Sequence, residues 1–115
     1  MFYVPGPNRP HGLPHDPLKA IVAPRPIGWM STLDAQGRPN LAPYSFSNML
    51  QTSPPMVVFG SDGQKHSAAN AAATGEFVFN LVTRELFDAM NASSDTLDDG
   101  VNEFEYAGLE MAPCN

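Results

Sequence analysis

The stretch from Pro24 to Asn80, PRPIGWMSTLDAQGRPNLAPYSFSNMLQTSPPMVVFGSDGQKHSAANAAATGEFVFN, decides how this chain folds. IGWMSTL, residues 27–33, has the length and apolar content of a strand, and Asp34-Ala35-Gln36-Gly37 supplies a turn before a second strand near Pro39. That pair predicts a hairpin. In LAPYSFSN, residues 41–48, alternation puts Ser45 and Ser47 on one face and Phe46 on the other, and Pro43 marks an edge or irregular strand. After Pro54-Pro55 the apolar run MVVFGS, residues 56–61, predicts a buried strand that ends in the turn SDGQ.

Working outward, Ser67 is placed to cap a short helix over the Ala-rich SAANAAAT, with Gly75 as its left-handed terminator. GEFVFNLVT follows with Phe77, Phe79 and Leu81 on one face and Val78, Asn80 and Val82 on the other, the pattern of a strand covered on both sides. Leu86, Phe87 and Met90 recur at helical spacing within residues 84–92, predicting a second short helix packed on the sheet. Beyond it SSDTLDDG reads as a loop, and Phe104, Tyr106 and Leu109 are the available anchors. Upstream, prolines at positions 5, 7, 10, 14 and 17 predict an extended arm over residues 1–23, leaving 24–115 as the folded domain.

Composition narrows the functional classes. A chain of 115 residues with 43% hydrophobic content is a single domain at most, and a 16% charged fraction is low enough to predict a surface partly covered by a partner. The net charge is −6, yet all six Lys and Arg lie at or before Arg84, while Glu85 onward carries eight of the twelve acids. The basic part suits a small anion, whereas the acidic balance argues against nucleic acid as the partner. One cysteine, Cys114, excludes an intrachain disulfide and a Cys-rich zinc site and makes a reducing cytoplasm the expected compartment. The N-terminus has no export-type pattern, and no apolar run is long enough to span a membrane.

Two clusters carry chemistry. Lys65-His66-Ser67 before a helix start combines a point charge, a titratable donor, a hydroxyl and helix N–H groups, which together suit a phosphate; Gly60 and Gly63 allow backbone to approach a ligand. The plainer alternative is a Ser cap among solvated neighbours. Ser45-Phe46-Ser47-Asn48 offers hydroxyls and backbone donors to the polar edge of a planar ring, with Trp29 or Phe46 as an apolar wall; its alternative is an edge strand with one wet side. Taken together the stretch reads as a cradle for a phosphate-bearing cofactor. Arg25, between Pro24 and Pro26, is either a placed cation or an exposed bend. His11 and His15 do not form a metal pair, because Pro14 between them forbids the helical geometry. There is no GxSxG, GxGxxG or Walker-type motif and no catalytic acid-base or nucleophile dyad.

With these segments assembled, the chain resembles the flavin reductase-like proteins, the FMN-binding split-barrel group of the nitrilotriacetate monooxygenase component B type. The resemblance covers Pro24 to Val82: PRPIGWMST, the Gly37 turn, PNLAPYSFSN, SPPMVVFGS, a KHS where such proteins often show Lys-Asp-Thr, and TGEFVFNLV, in family order. It implies a mainly β fold, a Greek-key antiparallel β-barrel of the split type with short helices, and usually a homodimer binding FMN near the subunit interface. By position, Ser45, Phe46, Ser47 and Asn48 would face the isoalloxazine, and Ser61, Lys65, His66 and Ser67 would hold the phosphate. Trp29, Ser31 and Thr32 would border the cofactor. The implied activity is that of an NAD(P)H:flavin oxidoreductase, in which NADH or NADPH gives hydride through flavin to free flavin, a partner monooxygenase or another acceptor. Such proteins continue with further strands past the position of Cys114, so the chain is expected to hold the N-terminal portion of the domain. Two further readings stay open: a non-enzymatic flavin- or haem-type split-barrel binding module, and an inactive fragment.

Overall fold

The computed structural model describes residues 12–15, 17–98 and 100–113. Most of the proline-rich arm and Cys114 therefore lie outside the described residues. Within them, a one-turn helix α1 (Leu18–Ile21) leads into β1 (Gly28–Leu33) and β2 (Pro39–Tyr44), the hairpin expected from residues 27–39. Its turn closes locally. The Asp34 carboxylate accepts from the backbone N–H of Gln36 and Arg38 and from the Arg38 guanidinium, while Gly37 takes the positive φ of 77° that favours glycine. The Arg38 backbone N–H, more than the guanidinium, holds the Asp34 carboxyl below its ordinary pKa.

Strand β1 is the centre of a three-stranded sheet ordered β2-β1-β5, with β5 (Val78–Asn80) antiparallel to it on the far side. Each face of this sheet receives helices. On one face α2 (His66–Thr74) is tied down by Asn70 Nδ2 donating to Thr32 Oγ1 (3.2 Å) and Asn40 Nδ2 donating to Ser67 Oγ (2.7 Å). On the other, Trp29 and Leu41 pack with Met90 of α3 (Phe87–Ala92), joined by Val82, Leu86, Phe104 and Leu109. There the Trp29 indole N–H donates to Ser93 Oγ (2.9 Å), which in turn donates to the Met90 carbonyl (2.8 Å). The last helix, α4 (Glu103–Tyr106), brings a Glu103 carboxylate oxygen to the Leu41 N–H on the edge of β2 (3.3 Å).

Several expectations need correction. Residues 41–48 are not one strand: the chain bends at Ser45-Phe46, and β3 (Ser47–Thr52) starts a separate two-stranded sheet with β4 (Pro55–Phe59). The apolar strand β4 is not buried, because no element among the described residues covers this hairpin: Met56, Val57 and Val58 are 40–45% exposed and Met49 and Leu50 about 60%. Only its base is attached, through the rings of Tyr44, Phe59 and Phe77, with centroids 5.0 and 5.1 Å apart. Nor is residues 77–82 covered on both sides, since β5 has just three residues and Leu81 is 78% exposed. Ser67 is not the helix cap: Lys65 is, and Ser67 is buried beneath the first turn, while Gly75 does terminate α2 at φ 77°. Helix α3 is shorter than residues 84–92, leaving Phe87 exposed, and Tyr106 is an exposed residue and not a core anchor.

The corner where the two sheets meet is tight. A Cβ built on Gly28 would lie 2.5 Å from Met30 Cε, 2.7 Å from Ser47 Oγ and 2.9 Å from Phe79 Cε2. Gly28→Ala is therefore expected to destabilise the fold by about 1–3 kcal/mol through overpacking, read as a lower urea midpoint with unchanged slope.

Candidate functional site

A cleft of about 580 Å³ opens where the end of β2, the Ser45-Phe46 corner, the start of α2 and the loop after α3 converge. Strand alternation places Asn40, Ala42 and Tyr44 of β2 on its floor side. Ser45, Phe46 and Gly60 supply one stretch of wall, and Lys65, His66 and Ser67 another. Lys65 has no side-chain acceptor with which to cap α2, so the positive end of that helix is paired with a cation and not neutralised by a capping oxygen. This volume lies within the range typical of small-molecule sites.

The acidic C-terminal part also reaches the cleft. Asp95, Asp98 and Glu103 line it together with Lys19, Lys65 and His66. Basic and acidic parts of the sequence thus share one cavity, and an anion is favoured only at its Lys65-His66 end. Asp95 is engaged as well by the Tyr106 hydroxyl (3.2 Å); that hydrogen bond, and then the carboxylate charge, raises the phenol's pKa above its ordinary value.

Of the residues singled out from sequence, Ser45, Phe46, Gly60, Lys65, His66 and Ser67 come together around this cleft. The others do not line it. Trp29 is buried against Ser93, Ser31 Oγ and Thr32 Oγ1 accept from Asn80 and Asn70, and Ser47 Oγ donates to the carbonyls of Pro26 and Tyr44. Asn48 Oδ1 accepts from the Met49 N–H, and Ser61 Oγ donates to the Gly63 carbonyl.

Tyr44 and Asn40 are among the lining residues that were not singled out. Tyr44 lines the cleft and is 7% exposed, yet its buried hydroxyl has no hydrogen-bond partner among the described residues. A buried hydroxyl without a partner is costly, and this one is enclosed by protein and not open to the cleft. Asn40 bridges the sheet to the start of α2. Arg25, left open between two readings, is a placed cation: Nη1 donates to Ser45 Oγ (2.9 Å) and the guanidinium carbon stands 5.3 Å from the Phe46 ring centroid. Tyr44 shares the Asn40 and Ala42 side of β2, and its missing hydrogen-bond partner is a tertiary property.

Residues 22–114 match the family model of the flavin reductase like domain. The chain belongs to this family. A curated relative from Aquifex aeolicus is 39% identical over 94 residues, covering 77% of the chain and 48% of the relative. Among solved structures, nitrilotriacetate monooxygenase component B from Bacillus cereus superposes with TM-score 0.74 at 25% identity, over 94% of the chain and 56% of that protein. A protein with a split barrel domain from Shewanella frigidimarina gives TM-score 0.75 at 25% identity, over 79% and 46%. The chain spans about half the length of the curated relatives it matches. Its fold is thus of the split-barrel class, strands with short helices, in which the described strands form two open sheets and no closed barrel. No helix among the described residues is long and apolar enough to cross a membrane.

Because the Tyr44 hydroxyl has no partner among the described residues, Tyr44→Phe is expected to leave the stability of the ligand-free chain unchanged or to raise it by up to about 1–3 kcal/mol of relieved desolvation, with an unchanged or higher melting temperature. Thermal unfolding followed by circular dichroism checks this; a clear loss of stability would mean that the hydroxyl is satisfied within the chain.

Proposed function

We propose that this chain contributes an FMN site and that the protein's activity is NAD(P)H-dependent flavin reduction or flavin-mediated electron transfer. The observation that carries this reading is the cleft itself. It joins two clusters far apart in sequence, Lys65-His66-Ser67 at a helix N-terminus and the Ser45-Phe46 corner. A ligand that fits must be anionic at one end and offer polar atoms on an apolar, ring-sized body at the other. A flavin mononucleotide has that chemistry, and family membership supports the choice.

In this proposal Lys65, His66 and Ser67, with Ser61 nearby in the preceding loop, hold the phosphate; Ser45 and Phe46, with Ser47 and Asn48 behind them, meet the ring. Trp29, Ser31 and Thr32 act from the strand that supports this corner. Bound flavin would supply the two-electron chemistry, accepting hydride from NADH or NADPH and passing electrons on. The protein's task is to bind, orient and exclude water, so no acid-base dyad is required. The acceptor is free flavin, a partner monooxygenase or another acceptor; the Bacillus cereus neighbour is named as a monooxygenase component. The reading further takes residues 24–115 as the N-terminal portion of a larger barrel that works as a cytoplasmic homodimer. The uncovered β3–β4 hairpin and the half-length match to relatives favour that portion.

Titration with FMN tests the site. Lys65→Ala should weaken FMN binding by the ~1.5–3 kcal/mol of a charge-assisted hydrogen bond, while riboflavin, which has no phosphate, should bind both proteins alike. Equal FMN affinity in the two would remove Lys65 from the site. Anaerobic NADH should then bleach the bound flavin's visible band; a band that persists would favour a passive binding module.

A further inference from the structure

Ser45 has one proton and two lone pairs, and the direction in which that proton points decides what the corner can recognise. Its Oγ accepts from Arg25 Nη1 at 2.9 Å, and among the described residues no other partner of this hydroxyl is present. Arg25 is itself half-buried between Pro24 and Pro26, whose rings limit the backbone, and its guanidinium lies over the Phe46 ring. The same tripeptide grips the corner a second time, because the Pro26 carbonyl accepts from Ser47 Oγ at 3.2 Å. From the other side the Gly60 N–H donates to the Phe46 carbonyl at 2.7 Å. A Cβ on Gly60 would come within 3.4 Å of Phe46 Cβ, so these two segments are closely apposed.

We propose that Arg25 is the positioning residue of this site: by donating to one lone pair of Ser45 Oγ it holds and polarises that hydroxyl at the cleft, and it fixes the Phe46 ring beside it. Accepting from a cation makes the Ser45 O–H a stronger donor towards the ligand. The corner favours a ring whose edge carries a lone pair, a carbonyl oxygen or an unprotonated ring nitrogen. This rests on the FMN reading above, since oxidised flavin has such acceptors along its polar edge. Arg25 touches no ligand in this scheme and acts through Ser45 and Phe46. Lysine could supply the donor but not the flat cation over the ring.

The test is a set of FMN titrations of the full chain, followed by flavin fluorescence and by the bound flavin's visible spectrum. Arg25→Met keeps an apolar stem against Phe46 and removes the donor; Ser45→Ala removes the hydroxyl. Each should weaken FMN binding about tenfold and displace the bound flavin's absorption maximum in the same sense. The double variant should bind no more weakly than the weaker single one, because both changes remove one interaction. Arg25→Lys, which restores a donor, should return affinity to within about threefold of the parent chain. Losses that add in the double variant would overturn the proposal, as would Arg25→Met binding FMN like the parent or losing affinity with an unshifted spectrum. If the parent chain itself binds no FMN, the functional reading falls and takes this inference with it. If the parent binds and Lys65→Ala weakens it while Arg25→Met does not, this inference alone falls.

Discussion

Strand β1 is bonded on both edges and packed on both faces, and β2, β5 and α2 take their positions from it. Met30 is fully buried on the side that receives α2; Trp29 is buried on the side that receives α3 and α4. A strand in that situation tolerates no polar group without a partner, and its few polar atoms are matched individually. Trp29 reaches Ser93, Thr32 takes Asn70, and the Asn80 amide on the neighbouring strand bonds the Trp29 carbonyl and Ser31 Oγ. These bonds join parts of the chain remote in sequence, so they fix both helical layers on one small sheet.

The cleft is a by-product of that frame. Once β2 is paired with β1, its last residue Tyr44 has to hand the chain to a second sheet, and the bend at Ser45-Phe46 becomes a wall. Asn40 fixes the start of α2 against the same strand, which brings Lys65 and His66 to the opposing wall. These cleft-lining groups therefore sit at the ends of rigid elements, an arrangement that holds their geometry better than a free loop would. The second sheet contributes in a different manner. It is attached through the Tyr44, Phe59 and Phe77 rings and leaves large apolar side chains in water, a surface that an isolated two-stranded hairpin does not stabilise by itself.

By itself the sequence determined the local pieces. The β1–β2 hairpin is legible because its turn is made within residues 34–38, and the end of α2 because Gly75 adopts a conformation that other residues resist. The order of motifs also identified the family, and with it the class of fold. Tertiary structure alone decided the rest. Ser67 carries the signature of a cap, but burial under α2 and the Asn40 amide gave its oxygen another partner. Runs such as MVVF state that a strand is apolar and not what covers it, so the exposure of β4 could not be read from its pattern. Arg25 on Ser45 and Phe46, and the solitary hydroxyl of Tyr44, depend on contacts between distant segments, which local periodicity does not encode.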